Sequence, residues 1–576
     1  MNKVVRAAVA AVLAAGMAQT GTGSAQAEPV SAAGDRQEEV LSTRDGIVTS
    51  YVSLALPLPA AAPAHPAACD RIGYLRYRPV DGPADAVDAD HVVVQQQGLH
   101  GGAVNSDSVA FNTVHSAKAQ GQHIEYWALA RRSSCLDEKR GFDRALETGN
   151  YLDAVDYYFN GMPIDGERFP GFKTSAELGV LDFMGLERVV RDQYELMLHE
   201  IPQQEVRQRK FVCTGISLGG LVTGFFSDWE FDGRPGADQC VAFAAQDSMI
   251  SSDPVALQNT PFLAALTNAI VGPLDSVVQA GFTANVLPRT FGSAPGLGTR
   301  AFMLLRLAGL AAHLDPDGES QLLAHLPRDT DIEGTLNTFA APTWAAWASN
   351  GGDGSGSIRD YRLTNAALLG VLIDNNSSNF SLFQQGIGAL SGGPVQEKTF
   401  PNPGELTQLP LLGNFLRVSA GNQRRVAPTD RGALYTWRNY DDVAGVPWTA
   451  PNHEVADIRD VARQLAMGAP TAYWETYFPL RLVVDIGAGY GGTRTGDLAG
   501  LRYHGMARLK PNFVAWAGDS PVQPATGTLF PTPALAQVVS LPGYTHVDTI
   551  GAAAVLNDGQ PDHSGWQLAL FLRSLG

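Results

Sequence analysis

Residues Lys210–Gly219 read KFVCTGISLG, and residues Gly220–Phe226 continue as GLVTGFF. The apolar run before Gly215 predicts a short buried strand, and the run after it predicts a buried helix. A G-x-S-x-G turn between a strand and a helix is the pattern of a nucleophile elbow, which exposes the hydroxyl of Ser217 at the edge of a sheet. A chain with 61 glycines also produces such pentapeptides by chance. The rest of the sequence must therefore support the interpretation.

Apolar runs that predict strands alternate with helical patterns along much of the chain. The predicted strands are Ile72–Tyr77, His91–Gln96, Ile124–Leu129, Phe211–Thr214, Val241–Ala245, Asn512–Ala517 and Gln537–Leu541. Apolar residues from Leu186 to Ile201 recur at helical spacing until Pro202, and a last helix is predicted over Gln567–Leu575. Strands alternating with helices predict an α/β fold, with a mostly parallel sheet covered by helices on both faces.

The pattern changes between residues 248 and 479. Apolar helical stretches occur there at Pro261–Ile270, Ala301–Ala312 and Asn365–Ile373, and a Gly/Ser-rich loop runs over Asn350–Ser357. A segment of this length is too long for a loop and must carry its own structure. We predict a large, mainly helical cap at 248–479, inserted between core segments 28–247 and 480–576.

The N-terminus has the pattern of a secretory signal peptide. Lys3 and Arg6 precede a short apolar stretch, and Ala25–Ala27 reads AQA, a typical cleavage site. We predict a signal peptide at 1–27 and a secreted or periplasmic protein. The apolar stretch is too short to span a bilayer, and no later run is long enough for an integral membrane segment.

Charge and cysteine content restrict the partners. A net charge of −17 argues against nucleic acid as a partner. Four cysteines in an exported chain predict two disulfides, and neighbouring strands favour Cys213–Cys240, which leaves Cys69–Cys135. The twelve histidines are scattered singly and no C-x-x-C occurs, so no metal site is predicted. The sequence leaves the oligomeric state open.

Gly487–Gly492 also matches a G-x-G-x-x-G dinucleotide fingerprint after the apolar run Leu482–Ile486. The following segment, Thr493–Lys510, shows no helical stripe, and too few residues remain for the rest of a nucleotide-binding domain. We therefore expect a loop there, where the chain returns from the cap, and no cofactor.

A serine nucleophile needs a base and an acid that orients the base. In sheet hydrolases with an elbow these follow in the order Ser, acid, His, at the carboxyl ends of strands. Asp519 follows one predicted strand and His546 follows the last, so we predict a triad of Ser217, Asp519 and His546. In the alternative interpretation, Asp519 only forms a turn. His546 is then a buried histidine near the start of a helix whose N-cap is Asp548. Asp247, at an earlier strand end, is the alternative acid.

The oxyanion that forms during acyl transfer needs donors that already point at it. The backbone N–H of Leu218, directly after the nucleophile, is the first candidate. The second is the N–H of Leu99 in the glycine-rich stretch Gln97–Gly102, although that stretch is also typical of an ordinary turn.

Together the elbow, the Gly98-Leu99 turn, Asp519 and His546 resemble the α/β-hydrolase superfamily, over residues near 70–248 and 480–576. Segments such as Tyr74–Arg78 and Tyr126–Leu129 are similar to a group of exported bacterial serine hydrolases. The departure is Gln95–Gln97 ahead of Gly98, where many relatives place His-Gly.

This resemblance implies acyl hydrolysis or transfer through an acyl-serine intermediate and leaves the substrate open. We expect an exported serine hydrolase that acts on small or oligomeric carboxylic esters, of the esterase, lipase or polyester-oligomer hydrolase type. The alternatives are a serine peptidase or amidase, an acyltransferase, and a non-catalytic binding protein on the same scaffold.

Overall fold

A computed structural model describes residues 35–253, 288–291, 298–349, 357–400, 424–468, 471–520 and 536–576. The predicted signal peptide, the helical stretch Pro261–Ile270 and most of the loop Asn350–Ser357 lie outside the described residues. The predictions for these segments are therefore not compared with the structure.

The described strands are numbered in chain order. They are β1 (Arg36–Arg44), β2 (Ile47–Ala55), β3 (Arg71–Pro79), β4 (Val92–Gln96), β5 (Glu125–Ala130), β6 (Phe211–Ile216), β7 (Glu230–Phe231), β8 (Arg234–Pro235), β9 (Ala242–Gln246), β10 (Arg362–Leu363), β11 (Gly388–Ser391), β12 (Val395–Glu397), β13 (Val426–Pro428), β14 (Leu434–Asn439), β15 (Asn512–Ala517) and β16 (Ala536–Leu541). All seven predicted strands are present. The polar strand β1 and its partner β2 were not predicted.

Nine of these strands form the main sheet, in the order β1-β2-β3-β5-β4-β6-β9-β15-β16. Strands β1, β2 and β3 are antiparallel to their neighbours, including the pair β3-β5. The remaining six strands of the sheet, β5, β4, β6, β9, β15 and β16, run parallel to one another. The carboxyl ends of β4, β6, β9, β15 and β16 therefore meet at one edge. This mostly parallel sheet confirms the predicted fold class.

The described α-helices are also numbered in chain order. They are α1 (Asp107–Ala119), α2 (Arg140–Thr148), α3 (Tyr151–Phe159), α4 (Leu186–Glu200), α5 (Gln204–Lys210), α6 (Leu218–Asp228), α7 (Thr299–Leu314), α8 (Leu322–His325), α9 (Thr330–Ala340), α10 (Trp344–Ala348), α11 (Asn365–Ile373), α12 (Ile458–Ala466), α13 (Leu480–Tyr490), α14 (Asp548–Gly551) and α15 (His563–Ser574).

Two crossovers determine which face each helix covers. Helix α1 connects β4 to β5 on one side of β4 in the sheet, whereas α6 connects β6 to β9 toward the opposite edge. Crossovers between parallel strands are right-handed, so these two helices cover opposite faces. Helix α15 packs against α1, and α4 packs against α6, so both faces carry a helical layer.

The chain between β9 and β15 carries structure of its own, with helices α7 to α13 and two small sheets, β10-β14-β11 and β12-β13. The segment between β9 and β15 is called the insertion below. Its helix α7 is buried along Ala301–Ala312 and packs against α12 and α11 at the centre of this segment. The boundary at 248–479 remains a prediction.

The expected loop at Gly487–Gly492 is wrong, because Leu480–Tyr490 is a helix. Gly489 is required there, since a Cβ on it would lie 2.6 Å from Cε1 of Phe225. This glycine allows close packing of α13 on α6, a role that the fingerprint pattern does not distinguish from phosphate binding.

Two disulfides confirm the predicted pairing. Cys69 is bonded to Cys135, and Cys213 is bonded to Cys240 with a Cα–Cα distance of 6.0 Å. The second pair follows from the sheet, because Cys213 lies in β6 and Cys240 precedes β9, its neighbour. Within the described ranges, no helix is long and apolar enough to cross a membrane.

Candidate active site

Ser217 lies in the turn between β6 and α6, with φ 53° and ψ −124°. A non-glycine residue in this region is strained, and such strain persists where the surroundings hold it. A Cβ on Gly215 would lie 2.1 Å from the backbone of Gly219, and a Cβ on Gly219 would lie 2.1 Å from the carbonyl oxygen of Gln96. Both glycines of the pentapeptide are therefore sterically required.

The side chain of His546 lies beyond the last strand, β16, and is buried. Its Nδ1 is 2.5 Å from Oδ2 of Asp247, which is fully buried. Asp247 directly follows β9 and has φ 41°. The carboxylate that holds the imidazole is thus the alternative acid of the sequence analysis.

Asp519, the preferred acid, lies at the end of β15 as expected, but the structure pairs it with another histidine. Its Oδ2 is 2.6 Å from Nδ1 of His453, which comes from the insertion. The end of β15 instead supports Asp247: the N–H of Ala517 donates to Asp247 Oδ1 at 3.1 Å, and the hydroxyl of Ser520 donates to Oδ2. The structure therefore places beside His546 a different carboxylate from the one that the sequence analysis preferred.

Asp548 is the first residue of α14 and not its N-cap, which is Val547 and makes no side-chain cap bond. Its carboxylate accepts the N–H of Thr545 at 2.8 Å and the N–H of Gly386, from the insertion, at 3.0 Å. Burial raises the pKa of Asp548 to about 7. These bonds hold the turn that carries His546 against the insertion.

Ser217 and His546 face a common cavity of about 30 Å³. Gly98 and Leu99 form one wall, and Phe383 and Trp474 from the insertion form another. A cavity of this volume admits only a small group. The cavity is mostly apolar, and Ser217, His546 and Asn105 contribute its polar side chains.

The two predicted oxyanion donors lie beside this cavity. Leu218 is the first residue of α6, where backbone N–H groups have no partner within the helix. Gly98 approaches the nucleophile closely, since a Cβ on it would lie 3.3 Å from Cβ of Ser217. The peptide that joins Gly98 to Leu99 is therefore next to the serine.

Sequence reasoning missed the walls that the insertion contributes. Phe383 and Trp474 pack with ring centroids 5.0 Å apart, and both line the cavity. They lie 91 positions apart in the chain, in a region without a strand pattern, so no local signal connects them to Ser217. Within the described residues, no group of three or more His, Cys, Asp or Glu side chains is arranged to hold a metal ion.

Comparison with known proteins finds similarity in structure but not in sequence. No family model matches the chain, and no curated protein sequence matches it. One similar structure is the peroxisomal alpha-beta-hydrolase Lpx1 from Saccharomyces cerevisiae, at 10% identity and a TM-score of 0.30, with 94% of this chain and 91% of that chain covered.

Two further similar structures have comparable scores. The thermophilic esterase from Thermogutta terrifontis matches at 10% identity and a TM-score of 0.28, over 89% of this chain and 97% of that one. The juvenile hormone epoxide hydrolase from the silkworm Bombyx mori matches at 9% identity and a TM-score of 0.30, over 93% and 78%. Similarities this distant carry no argument about the reaction.

Proposed function

We propose that this chain, which has the fold of the α/β-hydrolase superfamily, is a serine hydrolase that cleaves carboxylic esters through an acyl-serine intermediate. The sheet order and the strand-turn-helix around Ser217 establish the fold. One observation carries the proposal: a strained serine shares a cavity with His546, whose other side is bonded to buried Asp247. These are the three groups that acyl transfer to a serine requires.

Each group has a distinct role in the proposed reaction. Ser217 Oγ attacks the ester carbonyl carbon while His546 Nε2 accepts the hydroxyl proton. The tetrahedral intermediate collapses, the alkoxide leaves with the proton from His546, and an acyl-serine remains. Water, deprotonated by His546, then attacks the acyl carbon, the bond between this carbon and Ser217 Oγ breaks, and His546 returns the proton to Oγ as the acid is released. Asp247 holds Nδ1 protonated, which leaves Nε2 free to accept a proton.

The negative charge on the carbonyl oxygen requires donors in both steps. We assign these to the backbone N–H groups of Leu218 and Leu99, because the first lies at the start of α6 and the second is next to Gly98, which lies against Ser217. Donors of this kind need no reorganisation when the charge develops.

The cavity supports an ester with a small, apolar acyl group. Its walls include Leu382, Phe383, Trp474 and Ile550, which offer no charged partner for a substrate.

We also propose that the chain acts after export, with residues 1–27 as a signal peptide and 248–479 as the cap. Two disulfides support an oxidising compartment.

Replacement of the nucleophile tests the proposal. Ser217→Ala should lower kcat on p-nitrophenyl esters by about 10⁴-fold or more, because no other group replaces the attacking oxygen. A fluorophosphonate should label the parent at Ser217, as mapped by mass spectrometry of the peptides. Ser227→Ala is the matched control. Ser227 is a buried serine of α6, the helix that follows Ser217, and its hydroxyl donates to the carbonyl of Gly224 at 2.7 Å.

The control variant should keep the parental rate and the label. A Ser217→Ala variant with the parental kcat would show that the hydrolysis occurs elsewhere. Absence of turnover on every ester, amide and thioester by a folded, unlabelled parent protein would favour a non-catalytic binding protein.

A further inference from the structure

The loop that carries the candidate oxyanion donor is held from behind by a buried arginine. Arg131 directly follows β5 and is almost fully buried. Its guanidinium donates to three backbone carbonyls of the loop Gln97–Gly102: that of Gln97, that of Gly98 at 2.6 Å and that of Gly101 at 3.0 Å. One side chain therefore determines the orientation of several peptide units in this loop.

These contacts determine where the donor points. In a trans peptide the C=O and N–H of one unit point in opposite directions. The unit that presents the Gly98 carbonyl to Arg131 also contains the N–H of Leu99, so this N–H points away from the guanidinium. Gly98 lies against Ser217, and Leu99 lines the cavity with it.

A buried carboxylate holds Arg131 in turn. Oε1 of Glu475 is 2.9 Å from the guanidinium of Arg131, and the N–H of Glu475 donates to the carbonyl of His100 at 2.7 Å. Glu475 lies in the stretch that follows the insertion's helix α12, next to the cavity wall Trp474. Burial raises the pKa of Glu475 to about 7, and the charge of Arg131 opposes this shift.

We propose that Arg131 is a positioning residue for the oxyanion hole: by fixing the carbonyls of Gln97, Gly98 and Gly101, it aims the N–H of Leu99 at the oxygen of the tetrahedral intermediate. This inference rests on the proposed function.

Two adjacent arginines provide a matched test. Arg132 is equally buried and donates to two carbonyls, those of Leu56 at 2.7 Å and Cys69 at 2.6 Å, and to a carboxylate of Asp192. Neither carbonyl belongs to the loop Gln97–Gly102. Lysine at either position keeps the charge and loses the planar fork that serves several acceptors.

We expect Arg131→Lys to lower kcat on the best ester by about 10²-fold, the effect of losing one oxyanion donor, with little change in KM. The affinity for a trifluoromethyl ketone, which forms an oxyanion on Ser217, should fall in parallel. Arg132→Lys should keep kcat and this affinity within about threefold of the parent, even where both variants lose thermal stability to a similar extent.

Equal losses of kcat in Arg131→Lys and Arg132→Lys would overturn the inference, because the effect would then come from stability. A folded Arg131→Lys with parental kcat would also overturn it. Should Arg131→Lys fail to fold, Arg131→Gln replaces it and is assayed beside the parent at pH 6. A protonated Glu475 can pair with the neutral amide at this pH. The same loss of kcat relative to the parent at pH 6 is expected.

Ser217→Ala separates this inference from the proposed function. If Ser217→Ala turns over at the parental rate, both the proposed function and the inference fail. If Ser217→Ala is inactive while a folded Arg131 variant retains parental kcat and inhibitor affinity, the inference fails alone.

Discussion

At the residue scale, the carboxylate bonded to His546 differs from the one that the sequence pattern favours as the acid. Asp247 follows β9, and Asp519 follows its neighbour β15, so both carboxylates lie at the same edge of the sheet. The imidazole of His546 bonds to Asp247, whereas Asp519 bonds to His453 of the insertion. Asp247 is fully buried and also accepts the N–H of Ala517.

Paired substitutions test this assignment. Asp247→Asn should lower kcat by about 10⁴-fold, because an amide cannot keep His546 in the tautomer that accepts the proton of Ser217. Asp519→Asn should keep kcat within about tenfold of the parent, since its carboxylate pairs with His453 and the Nδ1 of His546 pairs with Asp247. Steady-state kinetics on one ester, with circular dichroism to establish folding, measures both. The reverse ranking would return the acid to Asp519.

At the element scale, the insertion supplies the wall that faces the nucleophile. Phe383 lies in the turn after α11, and its ring packs against Trp474 at 5.0 Å and against Phe302 of α7 at 5.6 Å. Helix α7 itself is buried and packs mainly against α12 and α11, with further contacts to α3. Acyl-chain selectivity is therefore expected to depend on the cavity wall rather than on the small residues of α7.

Enlarging the cavity at this wall should change which esters are accepted. Phe383→Ala removes a ring from the cavity of about 30 Å³, so the optimum of kcat/KM should shift toward longer acyl chains. A p-nitrophenyl ester series from acetate to decanoate measures the shift. Phe339→Ala is the control, because Phe339 is a buried phenylalanine of α9 whose truncation should cost a similar 3–5 kcal/mol or so of stability.

The control should keep the parental chain-length profile. A folded Phe383→Ala protein with that same profile would show that the acyl group binds elsewhere, and would remove the support that this cavity lends to a small acyl substrate.

At the scale of the whole molecule, two disulfides connect the first part of the core. Cys69 and Cys135 are 66 residues apart in the chain. Cys213 and Cys240 are 27 residues apart and connect β6 to the residues just before its neighbour β9. Constraint of the unfolded chain by loops of these lengths corresponds to about 4 kcal/mol and about 3.5 kcal/mol of unfolding free energy. Loss of either link should therefore lower the free energy of unfolding.

Peptide mapping without reduction should find Cys69 linked to Cys135 and Cys213 linked to Cys240. The unfolded, unreduced protein should have no thiol that reacts with Ellman's reagent, and reduction should lower the melting temperature. The double variant Cys213→Ser, Cys240→Ser should be less stable than the parent, because the β6–β9 link is lost. A free Cys213 in the oxidised protein would contradict this pairing.

Local sequence patterns determined the parts of the fold that depend on near neighbours in the chain. Runs of four to six residues identified all seven predicted strands, and the glycines around Ser217 identified the elbow, because both patterns reflect short-range requirements. The pairing of Cys213 with Cys240 followed from the same strands. The polar pattern of β1 and the helical glycines of Leu480–Tyr490 did not carry such a signal.

Only the tertiary structure decided which distant groups meet. His546 lies 299 positions from Asp247, and Arg131 lies 344 positions from Glu475, so their pairing depends on strand order and on how the insertion packs. Two neighbouring parallel strands end at the same edge, and a sequence that places a carboxylate after each cannot rank them. The choice follows from which side chain is buried within reach of the imidazole, a property of the assembled sheet and not of either segment alone.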